Sequence, residues 1–75
     1  MEVDIVVEKD ETGGYVVFVP TLPGCHSQGD TLEEAIENIK DAIKAYLSSL
    51  SPNDRKDAIA LIKSFRGVQR IEVNA

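Results

Sequence analysis

The chain has a single cysteine, Cys25, among 75 residues, and no tryptophan. One cysteine excludes an internal disulfide framework and the small secreted scaffolds that depend on one. Met1-Glu2-Val3-Asp4 offers no basic n-region of an export leader, so a reducing cytoplasm is the expected compartment. No apolar run approaches the roughly 18 residues of a membrane span, and no membrane partner is expected. Aromatics are scarce: two tyrosines and two phenylalanines, with no basic residues interleaved along the strands. That excludes a stacking platform for single-stranded nucleic acid. Basic residues are outnumbered by acidic ones, 8 to 13, for a net charge of −5. Such a balance argues against phosphate binding by the whole chain and suits a basic partner.

What is present is one small α+β domain over residues 1–75. A chain of this length buries only about 60% of the surface its unfolded form exposes, so self-association is a natural way to add burial. Glu2-Val-Asp-Ile-Val-Val-Glu8 alternates, with Val3, Ile5 and Val7 on one face and Glu2, Asp4, Val6 and Glu8 on the other. Period two with β-branched residues predicts a half-buried strand. Lys9–Gly14 reads as a hairpin turn. Tyr15-Val-Val-Phe-Val19 is apolar on both sides, which predicts a central strand with cover on each face. Pro20 and Pro23 interrupt the ladder, and Cys25-His-Ser-Gln28 predicts a short third strand ended by Gly29.

Thr31 and Glu34 have capping-box spacing at a helix start, and acids in the first turn suit the helix dipole. Leu32, Ala35, Ile36, Ile39, Ala42, Ile43, Tyr46, Leu47 and Leu50 fall at three- and four-residue steps, one buried face. Glu33, Glu34, Glu37, Lys40, Asp41 and Lys44 fall on the solvent side. Ser51-Pro52 opens a second helix, with Gly67 as its stop, and Val68–Val73, alternating from Gln69 onward, reads as a last strand. The order is β-β-β-α-α-β. Hairpins and a return crossover predict sheet order 3-2-1-4 with both helices on one face. A right-handed crossover would make the last strand parallel to the first.

The chemistry-bearing residues are few. Asp4 occupies the place of a metal-binding carboxylate on a first strand, but a two-cation site needs several converging acids and none accompany it. It is read as a solvated strand carboxylate. Cys25 and His26 are adjacent strand residues and point to opposite faces, which defeats a nucleophile–base pair. Neither catalytic, cofactor nor metal residues are expected. Arg55, Lys56, Lys63, Arg66 and Arg70 gather in the C-terminal third and read as a solvated basic surface. Two partner-contact surfaces stand open: the acids Glu33, Glu34 and Glu37, and the corner Leu22-Pro23 with His26 and Gln28.

Gly14-Tyr-Val-Val-Phe-Val-Pro-Thr-Leu-Pro-Gly-Cys-His-Ser-Gln-Gly-Asp-Thr-Leu-Glu-Glu-Ala35, continued by Ile36-Glu-Asn-Ile-Lys-Asp-Ala42, resembles the signature of HicB-like antitoxins. The resemblance covers about the first fifty residues. It implies a truncated ribonuclease-H-like fold without catalysis. It also implies a partner, a small basic messenger-RNA-cleaving toxin of HicA type, blocked sterically and electrostatically. Family members often add a C-terminal DNA-binding domain; this chain stops at Ala75, so operator binding is not expected of it. The alternatives are an interaction or regulatory module without a toxin, and a residual metal-dependent nuclease.

Overall fold

The computed structural model describes residues 1–74. Its elements are β1 (Glu2–Lys9), β2 (Tyr15–Phe18), β3 (His26–Gly29), α1 (Leu32–Ser49), α2 (Pro52–Ser64) and β4 (Gln69–Glu72). The four strands form one sheet in the order β3-β2-β1-β4. β1 is shared in two halves. Its Val6–Lys9 half pairs with β2, and its Glu2–Ile5 half pairs with β4.

Every ladder is antiparallel, including β1 with β4. The parallel last strand expected from a single crossover does not form, because two helices reverse the chain twice. Leu32 and Ile36 of α1 line a cleft with Ile5, Val7 and Ile71, and Lys44 and Leu47 lie by Met1 and Asn74. α2 then returns from Met1, beside Arg55 and Ile59, towards Asp4, beside Lys63 and Arg66. The strand that follows must run back down. Both helices pack into the core that Val3, Ile5 and Val17 form, α1 through Ala35, Ile39, Ile43 and Leu47, and α2 through Ala58 and Ile62. Its Ile59, Ile62, Lys63 and Arg66 line one cleft with Glu2, Asp4 and Arg70, which project from the opposite face.

The corner between β2 and β3 is two consecutive turns. Leu22 N–H bonds Val19 O at 3.1 Å, and Cys25 N–H bonds Leu22 O at 3.0 Å. In the second turn Pro23 takes position i+1 and Gly24, with φ of 81°, takes i+2. This is a type II turn, which requires a positive φ at that position. The corner tucks Leu22 inward at 2% exposure, beside Val17, Val19, Cys25 and the α1 residues Ala35, Ile39, Ile43 and Leu47.

Both helix starts follow their capping signals. Thr31 Oγ1 accepts from Glu34 N–H at 3.1 Å, and Ser51 Oγ accepts from Asp54 N–H at 3.2 Å. Thr31→Ala is expected to cost about 1 kcal/mol, the usual worth of such a cap; urea denaturation with unchanged m-value measures it. Among the described residues no helix is long and apolar enough to cross a membrane.

Candidate partner-binding surface

Asp4 differs most from its sequence reading. It is not solvated: its side chain is 3% exposed. Strand register sets it directly opposite Arg70, whose Nε donates to Oδ1 at 2.9 Å. The Gly67 N–H donates to Oδ2 at 2.8 Å. The Arg70 hydrogen bond, then the Gly67 N–H, hold the Asp4 carboxyl below its ordinary 3.8, against a smaller opposing effect of burial. Arg70 also reaches Glu2 Oε2 at 3.0 Å. Both carboxylate oxygens are thus used, and a guanidinium occupies the place a cation would take. Among the described residues no three His, Cys, Asp or Glu side chains converge as a metal site. Asp4 ties the α2–β4 turn to the sheet.

Cys25 is 4% exposed while His26 is exposed, so the two side chains part as strand alternation requires. Burial pushes the Cys25 thiol above its ordinary 9.0, the opposite of what a nucleophile needs. Of the corner residues, Leu22 is a core anchor with no surface to offer, while Pro23 next to it is exposed.

The remaining contact candidates are brought together. His26 lies opposite Phe18, and Gln28 opposite Val16. Val6 faces Phe18 from β1, and Glu8 faces Val16. His26, Gln28, Phe18, Val16, Val6 and Glu8 therefore share the sheet face turned away from α1. Val16, Phe18 and Val6 are only half-buried there. Val6 lines a cleft with Phe65 and Val68.

The outer edge of β3 is closed by α1. Asn38 Nδ2 donates to the Gln28 main-chain carbonyl at 2.8 Å. Gly29 lets α1 come this near, since a Cβ there would stand 2.5 Å from Ala35 N and 2.9 Å from Glu34 C. Helical spacing sets Glu34 and Asp41 beside Asn38, with Glu37 next to them. Glu33, Glu34, Glu37 and Asp41 are all exposed. The α1 acids and the β3 face therefore meet at the β3 edge, at the Asn38–Gln28 bond. Asn38 and Asp41 belong to this surface though the sequence reading did not select them. The available signal was a polar Asn at the border of the apolar helix face.

Charge is polarised along the molecule. Ten of the 13 acids lie at or before Asp41, and five of the 8 bases lie from Arg55 onward. The hairpin residues Asp10, Thr12, Gly13 and Gly14 border the same cleft as Gln28, Gly29 and Asp30. The acids of the hairpin, the β3–α1 junction and the first turns of α1 therefore gather at one pole.

The HicB-like antitoxin model of bacterial toxin–antitoxin systems matches residues 3–69. A UPF0150 protein of Thermoplasma acidophilum is 52% identical over 56 residues, which are 75% of this chain and 81% of that one. A UPF0150 protein of Helicobacter pylori is 52% identical over 54 residues, 72% of this chain and 74% of that one. Among solved structures, the N-terminal domain of the Burkholderia pseudomallei antitoxin HicB is similar at a TM-score of 0.61 and 32% identity. The match covers all of this chain and 74% of that one. A sheet in the order β3-β2-β1-β4 with two helices is thus similar to the N-terminal domain of an antitoxin, and the chain belongs to the HicB-like antitoxin family.

Proposed function

We propose that this chain neutralises a small basic, messenger-RNA-cleaving toxin of HicA type by covering the toxin's RNA-binding and catalytic surface. The observation that carries the proposal is the joined surface at the β3 edge. There Asn38 holds the Gln28 carbonyl, and the exposed acids Glu34, Glu37 and Asp41 surround Asn38 on α1 at helical spacing. A surface that binds RNA phosphates is basic, so an acidic face competes for it directly. Opposite charge also speeds encounter and fixes orientation. Inhibition of this kind is steric and electrostatic, and asks no bond chemistry of the antitoxin.

Co-expression with any small basic open reading frame that adjoins this chain's gene tests it. The gene alone is expected to arrest growth, and this chain to restore it. Glu34→Lys combined with Glu37→Lys is expected to weaken binding on the order of 10- to 100-fold, as charge reversal at an interface does, and to abolish rescue. Circular dichroism checks that the double variant remains folded. A gene product that is neither toxic nor bound overturns the function. Full rescue by the double variant overturns the surface alone.

A further inference from the structure

The two edges of the sheet are unlike. The β3 edge is closed by α1 through Asn38, whereas β4 is the other edge strand and three of its four residues are exposed. Val73 N–H bonds Met1 O at 2.7 Å. The alternation of an antiparallel ladder then turns the main-chain groups of residues 69, 71 and 73 towards β1, and those of Arg70 and Glu72 outward. An exposed edge of this kind is a template for another strand unless something blocks it.

We propose that the edge of β4 pairs with β4 of a second copy of this chain, antiparallel, about a two-fold axis at Ile71. In that register Arg70 faces the partner's Glu72, Ile71 faces the partner's Ile71, and Glu72 faces the partner's Arg70. The outward N–H and C=O groups of Arg70 and Glu72 fall in hydrogen-bonded pairs, closing four main-chain bonds. A two-fold centred on Arg70 or on Glu72 would instead set like charges against each other. The charge pattern of the strand therefore selects both the occupant and the register.

Glu72 lies directly opposite Glu2, a like-charge cross-strand pair, and within the chain it is held by the Met1 ammonium at 2.9 Å. The partner's Arg70 would set a second positive charge beside this pair of acids. Arg70 uses Nε for Asp4 and one terminal nitrogen for Glu2, and a guanidinium has five donors to share. Apolar surface lies alongside. Ile71 borders a cleft with Ile5, Val7, Leu32 and Ile36, and Leu32 is 43% exposed despite its place in the apolar stripe of α1. Joining two copies extends this groove across the axis, so that a thin core gains cover where α1 does not reach.

Sedimentation velocity over a micromolar concentration series, together with cysteine cross-linking, tests the proposal on the full chain. A dimer is expected, and Glu72→Arg is expected to raise its dissociation constant by about tenfold, since both cross-axis pairs become repulsive. Ile71 occupies a non-hydrogen-bonded pair on the axis, where side chains approach most closely. Ile71→Cys is thus expected to form an intermolecular disulfide under mild oxidation. Gln69→Cys, displaced from its own copy across the axis, is expected not to; Cys25 is buried and stays out of the reaction. A chain monomeric throughout the series overturns the proposal. So does a dimer unaffected by Glu72→Arg, or one cross-linked equally through positions 69 and 71. Pairing of β4 with a strand of a different protein would show as a monomer here, and also counts against it.

Discussion

Gly29→Ala is expected to destabilise the fold by about 3 kcal/mol, the upper end of what overpacking a close contact costs. It should also loosen α1 from β3. The reason is contact with backbone, not with yielding side chains: the added Cβ would lie 2.5 Å from Ala35 N, 2.9 Å from Glu34 C and 3.0 Å from Ala35 Cα. A helix backbone cannot retreat at one residue, so the whole first turn must move. That turn holds the Thr31 cap and, one turn on, the Asn38–Gln28 bond. Urea denaturation measures the loss. Gly24→Ala is the informative comparison, since position 24 has a positive φ but nothing within 4 Å of an added Cβ. Its cost should stay near the roughly 1–2 kcal/mol of left-handed strain alone. Equal losses at the two positions would mean that close approach is not what Gly29 is for.

Asp4→Asn is expected to lower the melting temperature more than Glu2→Gln does and to remove part of the acid sensitivity of the fold. The carboxylate accepts from Arg70 and from the Gly67 N–H while nearly out of reach of solvent. An amide keeps the shape but presents an N–H to one of those donors and leaves Arg70 without its nearest negative charge. The folded-state pKa of Asp4 lies below 3.8. Its contribution is therefore complete above pH 3.8 and is lost as pH falls from there through the lowered value. Melting curves from pH 7 down to pH 2 should show the parent chain dropping steeply in that acid window. The Asn variant should start lower and fall less. Parallel curves would remove Asp4 from the acid response.

Local signals carried much of the fold. Alternation in Glu2–Glu8, the capping pair Thr31 and Glu34 and the Ser51-Pro52 start each depend on residues within one turn or one strand, and the elements stand where those signals lie. Strand order followed as well, because hairpins join neighbours. The direction of β4 did not follow, since it depends on how many times the chain reverses between β3 and β4, a fact of packing and not of any residue. Asp4 shows the same limit. Period two sets it on the face away from Val3, but only the return of residues 65–70 over that face buries it. Leu22 read as part of an exposed corner because prolines and glycine mark turns, while the way a type II turn aims its first residue is decided by the core beneath. For the surface, the sequence held Glu34 and Gln28 apart as rival candidates. Asn38 makes them neighbours through a bond ten residues long in sequence, which no periodicity announces.

β1 pairs with β2 only along its second half and with β4 only along its first. The hydrogen bonding of the hairpin meander, Val6 through Gly29, is thereby complete without the tail, and the tail is held by a separate set of bonds that begins where the other ends. Such a division makes the chain modular within a single sheet. Exposed positions after Ser51 can vary without altering the register of β2 and β3, provided Ala58, Ile62, Gly67, Arg70 and Val73 keep their places in the core and the Asp4 tie. The β3 edge and the tail are therefore held by separate sets of main-chain bonds.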